Sequence, residues 1–176
     1  MPCAREARPP PCWIASCTEG PAPSYLAPSL PKRMHIRTIP PAGTHPLRRL
    51  VLRNGDPDAV VAWPGDDHPE GFHLGAFLGE ELIGIASFRP EANPLLQGHE
   101  PYRLRGMATH PDHQGIGVGT ELLRSAMAML RECQADLLWC NAREVACAFD
   151  ARAGFRTKAE AFIIAGIVVH YLIYRG

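Results

Sequence analysis

Three glycines at alternate positions, Gly115, Gly117 and Gly119, fall between a stretch with strand character and a stretch with helix character. The string is M-A-T-H-P-D-H-Q-G-I-G-V-G-T, residues 107 to 120. Glycine has no Cβ to cover its peptide group, so such a run leaves backbone amides open. At a helix entrance those amides add to the positive end of the helix dipole and favour a phosphate or pyrophosphate. Gln114 adds an uncharged donor. A side chain at 117 or 119 is expected to block close approach of that group. Two other phosphate cradles are excluded. No G-K-[ST] follows for a P-loop, and no acidic residue pairs with a G-x-G-x-x-G of a dinucleotide unit. Taken alone, the glycines also fit a tight structural turn.

The surrounding pattern alternates strands and helices. Met34, Ile36 and Ile39 suggest a first strand. Thr44 is placed to cap a helix with Pro46 in its first turn and Leu47, Leu50 and Val51 on one face. Arg48, Arg49 and Arg53 then form its solvated face, and Gly55 stops it. A polar loop over 56 to 71 leads to a hairpin, 73 to 78 and 82 to 88. A loop over 90 to 101 precedes a strand at 102 to 109. From Val118 to about Cys133, Val118, Leu122, Leu123, Ala126, Met129, Leu130 and Cys133 recur at helical spacing. A short strand at 136 to 140 and a helix at 144 to 153, ended by Gly154, come next. Two strands, 158 to 164 and 167 to 174, close the chain with Gly166 near their turn. The order β-α-β-β-β-α-β-α-β-β predicts a mixed α/β (α+β) domain around one sheet.

Residues 1 to 33 differ: eight of the 18 prolines lie there, with little apolar periodicity. Proline removes donors and fixes φ, so a disordered extension is expected, followed by one domain over 34 to 176. A start of translation at Met34 is the alternative. With 18 basic and 18 acidic side chains the formal charge is zero, which supplies no broad field for nucleic acid or an anionic membrane. No apolar run reaches bilayer length or resembles a secretory leader. The six cysteines form no C-x-x-C pair, so reduced thiols, a cytoplasmic location and no metal site are expected.

Gln114, Gly115, Ile116, Gly117, Val118 and Gly119 match the [QR]-x-x-G-x-[GA] signature of the GNAT superfamily of acyl-CoA N-acyltransferases, which the chain resembles. The preceding L-R-G-M-A-T-H-P looks like that family's fourth strand, and F-D-A-R-A-G-F (149 to 155) like its F-Y-x-x-x-G-F. W-C-N-A-R at 139 to 143, G-I-V-V-H-Y at 166 to 171 and L-R-R-L-V-L-R-N-G at 47 to 55 resemble a bacterial branch. The likeness covers about 34 to 176 and implies a sheet of about six to seven strands with helices on both faces.

The resemblance implies acetyl transfer from acetyl-CoA, held where the fourth and fifth strands splay, to a primary amine of a small molecule or peptide. The amide of Met107 would face the thioester oxygen, and Ala108 and Thr109 would follow the pantetheine arm. Gln114 to Thr120 would hold the pyrophosphate, and Asn141 and Arg143 would orient the coenzyme or cap the next helix. An alkylamine of pKa near ~10 must lose a proton before attack. The family's catalytic Glu position is Arg103 here, and its acidic Tyr corresponds to Asp150. An Asp of ordinary pKa near ~4 would be ionised and could not serve as that acid. His170 is the remaining proton handler, since imidazole titrates near neutrality. The two departures also leave open a non-catalytic acyl-CoA-binding module. Cys140 is expected to be a buried structural thiol, and His110 and His113 surface loop residues. For Arg48, Arg49 and Arg53 the resemblance implies an alternative to the solvated face, the mouth of the acceptor site. A monomer or a homodimer is equally compatible with the sequence.

Overall fold

The computed structural model describes residues 34–143, 146–158, 162–164 and 168–176. The extension over 1–33 and Gly166 lie outside them, as do residues 144 and 145 of the expected second long helix. Strands β1 (Met34–Thr38), β2 (Phe72–Leu78), β3 (Glu81–Pro90) and β4 (Pro101–Thr109) run antiparallel in sequence order. β5 (Leu137–Arg143) joins β4 in parallel. β8 (Val168–Arg175) lies antiparallel on β5, and β6 (Arg156–Thr157) and β7 (Phe162–Ile164) pair with its far edge. The result is a mixed sheet of eight strands, one more than expected because the two-residue β6 is too short to show a pattern.

Parallel neighbours need a crossover, and helix α2 (Val118–Glu132) supplies it. Of the residues the periodicity selects, Val118, Leu122, Leu123, Ala126 and Leu130 are buried, whereas Met129 is half-buried and Cys133, at the C-terminal end, is exposed. Each valine or leucine among them, fully buried, stabilises by about 1.5–3 kcal/mol. Gly84 of β3 lets the helix sit low: a Cβ there would come within 2.5 Å of the Val118 Cγ1. Helix α3 (Cys147–Arg152) lies on the same face, with Phe149 against the first turn of α2.

The opposite face carries the first helical segment, and here the sequence misleads. A 3-10 turn (Pro41–Thr44), a single α turn, α1 (His45–Leu47), and a π turn (Arg48–Leu52) follow one another. Thr44 caps nothing; its hydroxyl donates to the Pro41 carbonyl at 2.7 Å. A π turn holds an additional residue and shifts every later side chain around the axis. Leu47 is buried as expected, but Leu50 is 42% exposed and Arg48 is 0% exposed. Only Arg53 keeps the solvated position expected of the three arginines.

Burial of Arg48 demands partners. Its Nη1 donates to Asp66 Oδ2 at 2.5 Å and to the Val61 carbonyl at 2.9 Å. Its Nη2 donates to Asp66 Oδ1 and to Ser87 Oγ, both at 2.9 Å. Ser87 Oγ lies 2.7 Å from His73 Nδ1, and His73 Nε2 lies 2.8 Å from the Asp66 carbonyl. A carbonyl only accepts, so Nε2 carries the proton and Nδ1 receives the serine hydroxyl. Burial alone would raise the Asp66 carboxyl, but the bonds from Arg48 and the Trp63 amide hold it below its usual range. This network fastens the loop over 56 to 71 onto β2 and β3.

Candidate active site

β4 and β5 are paired only at Pro101 with Leu137, Tyr102 with Leu138 and Arg103 with Trp139. Beyond Arg103, β4 stays with β3 as far as Thr109, and β5 stays with β8 as far as Arg143. The two strands therefore part into a wedge. Met107 and Arg143, each four residues past the last pair, stand on opposite walls, and His170 is the β8 partner of Arg143.

Within the wedge β4 bulges. Ser87 pairs with Arg105 and Ile85 with Ala108, so Gly106 and Met107 together face Ala86 alone. Gly106 has φ +67°, a conformation that favours glycine. A Cβ there would also strike the Trp63 ring at 2.5 Å. The bulge leaves the Met107 peptide with no register partner on either side.

The glycine loop ends the wedge. Gly115 and Gly117 have φ +78° and +91°, and the space above Gly115 is open. The Gln114 amide reaches the Pro111 carbonyl at 3.4 Å, and the first bond of α2 runs from the Glu121 amide to Gly117 at 3.1 Å. Among the described residues, the amides from Gly115 through Ile116, Gly117, Val118 and Gly119 to Thr120 have no acceptor. The Gln114 side chain is exposed and meets only the Thr109 carbonyl, at 3.5 Å. A Cβ on Gly119 would meet Phe149 Cζ at 3.0 Å and Met107 Cε at 3.1 Å, so packing between α2, α3 and β4 is a second demand for glycine here.

The acetyltransferase (GNAT) family model matches residues 43–155. An "Uncharacterized N-acetyltransferase YitI" of Bacillus subtilis is 36% identical over 143 residues, 81% of this chain and 95% of its own. This chain belongs to the GNAT family. Its fold is shared with Escherichia coli ElaA, at TM-score 0.65 and 17% identity over 81% of this chain and 99% of the other. It is shared too with an aminoglycoside 6'-N-acetyltransferase complexed with coenzyme A, at TM-score 0.64 and 12% identity over 80% and 96%. As a GNAT domain the chain is an acyltransferase of a family that uses acetyl-CoA.

The side chains of this GNAT wedge divide between two faces. Toward α2 and α3 lie Cys140 and Asp150, both buried. Burial, then the charge of Asp150, pushes the Cys140 thiol well up, so it is no thiolate nucleophile. Burial pushes the Asp150 carboxyl up to about 6, and among the described residues no hydrogen bond reaches it. The expectation of an ordinary carboxylate at this position is thus replaced by one that holds its proton in mild acid.

Toward α1 lie the polar residues. Register sets Asn141 opposite Leu172 and Arg143 opposite His170. Arg143 leans to the Leu52 carbonyl at 3.5 Å, and the start of α3 at Ala146 has no side-chain cap. Neither residue therefore caps that helix, and Arg143 points away from the α2 amides. Arg103, in the family's Glu position, donates to Glu91 at 2.6 Å and lies 4.7 Å over Trp139. Burial would raise the Glu91 carboxyl, but bonds from Arg89 and Arg103 hold it below the usual range, which makes it a poor base. His170 lies 6.1 Å from the Phe162 ring. His110 accepts the Asp112 amide at 3.3 Å, and His113 meets Glu81 at 3.4 Å, both beside the loop. The sequence reading missed Trp63, Asp66, Glu91 and Arg105. A glycine inside a strand pattern, Gly106, was the available signal for the bulge they surround.

Proposed function

We propose that the chain transfers the acetyl group of acetyl-CoA to a primary amine by direct attack, with both substrates held in the wedge. The observation that carries this reading is the run of unpartnered amides from Gly115 to Thr120 at the α2 entrance. Neutral donors under a helix dipole suit a pyrophosphate, and the open space at Gly115 leaves room for one. Gln114 adds its amide, while Ala108 and Thr109 line the route from that cradle to Met107. Acetyl-CoA supplies an activated carbonyl; the protein orients the amine toward it. The Met107 amide, at the bulge and without a register partner, is the donor for charge that develops on the thioester oxygen. As the C–N bond forms and the C–S bond breaks, the amine proton must leave and the thiolate must gain one. His170 is assigned the first task. It stands on the α1 side with Asn141 and Arg143, which fit the acceptor better than the coenzyme. The domain spans 34 to 176 and acts in the cytoplasm; among the described residues no helix is long and apolar enough to cross a membrane.

The test is a thermal-shift titration with acetyl-CoA, then an amine panel followed by release of free thiol. A ligand at a hundred times its Kd should stabilise the fold by about 2.7 kcal/mol. No shift at millimolar acetyl-CoA would remove the reading, and a shift without turnover on any amine would mark a binding module.

A further inference from the structure

On the α1 side of the wedge some arginines form ion pairs and others do not. Arg48 is matched by Asp66, and Arg89 and Arg103 share Glu91. Arg53, Arg105 and Arg143 have no carboxylate partner among the described residues. Each reaches only a backbone carbonyl, of Val60, Pro64 and Leu52 respectively, and each at 3.5 Å. That distance is the weak limit of a hydrogen bond. Three guanidinia gather around one indole: Arg48 at 4.1 Å, Arg105 at 4.7 Å and Arg53 at 5.6 Å from the Trp63 ring centre. The same ring lies directly over Gly106, next to Met107.

We propose that the acceptor amine bears a carboxylate, and that Arg105, stacked on Trp63 beside the β4 bulge, receives it. The proposal rests on the reading of the wedge given above and names its substrate class. Arg105 and Met107 are two residues apart, so their Cα atoms lie within about 7 Å. A carboxylate a few bonds from the amine spans that interval. Guanidinium offers a planar fork that matches carboxylate geometry. Burial, then the charges of Arg103 and Arg89, pull Arg105 below the ordinary arginine value, which an incoming anion would relieve. The same field disfavours an ammonium ion. It therefore helps an amino acid present a neutral amine and turns away polyamines, which carry a second positive charge.

Matched pairs test this directly: phenylalanine against phenethylamine, and γ-aminobutyrate against butylamine, with acetyl-CoA as donor. The acid of each pair should show at least about tenfold higher kcat/KM. Arg105→Gln should collapse that preference through KM, and Arg105→Lys should restore part of it. Calorimetry on the CoA-saturated full chain gives a reading independent of turnover. N-acetylphenylalanine should bind at least about tenfold more tightly than N-acetylphenethylamine, and Arg105→Gln should erase the difference. Equal affinities, binding of neither compound, or a preference for butylamine or putrescine overturns the proposal while leaving acetyl transfer intact. Failure of acetyl-CoA itself to bind strikes the underlying reading instead.

Discussion

The two ends of the wedge are made of different material. At the α2 entrance the donors are peptide amides, bared by glycines at 115 and 117 and fixed by the helix behind them. On the α1 side the donors are guanidinium groups, gathered around Trp63 from the π turn, the residue that follows it and β4. A backbone site gets its geometry from local chain conformation and tolerates changes of charge better than changes of bulk. A side-chain site gets its geometry from long-range packing and is sensitive to charge.

The sharpest way to break this contrast is Gly117→Trp. It should close the cradle by bulk and by straining a backbone held at φ +91°. Losing about three charge-assisted bonds at ~1.5 kcal/mol each means more than about a thousandfold weaker acetyl-CoA binding. The circular dichroism spectrum should stay unchanged; wild-type affinity would refute the backbone cradle. Arg48→Met should cost about 3–5 kcal/mol in urea unfolding, because it strands Asp66 and Ser87 inside the protein. A loss under about 1 kcal/mol would show that the loop over 56 to 71 is held by other contacts.

Asp150→Asn should do the opposite. The folded carboxyl is raised from 3.8 to about 6, so it favours folding below pH 4 and loses that contribution as pH rises through 6. The variant should be more stable than wild type by about 3 kcal/mol at pH 8, with the difference gone below pH 4. Equal stability at both pH values would show that water reaches this carboxylate. His170→Ala should lower kcat by about a hundredfold. Wild-type rates would take His170 out of the proton path.

The same contrast explains what the sequence revealed. The hairpin of β2 and β3, helix α2 and the glycine loop were legible because each is written in consecutive residues: alternation, a helical period, bare positions before a helix. Arg48 was not. Its burial follows from one surplus residue in a turn and from Asp66, 18 positions away, and neither leaves a periodic trace. Glu91 looked like the edge of a loop, yet it is the shared counter-charge of Arg89 and Arg103. At Gly119 nothing in the sequence signals the packing neighbour, Phe149, that also requires a glycine there. Sequence shows where backbone will be bare; it does not show which distant side chains meet.

The wide turn at Arg48–Leu52 has one more consequence. Removing a single residue from it would let the coil tighten to ordinary α pitch and swing its two ends about 100° relative to each other. Leu47 and the chain leading to Trp63 could not then both stay seated on the sheet. Length in this short stretch is therefore under tighter restraint than chemistry: an aliphatic exchange at the exposed Leu50 should pass unnoticed, whereas a one-codon deletion beside it should dismantle the acceptor wall.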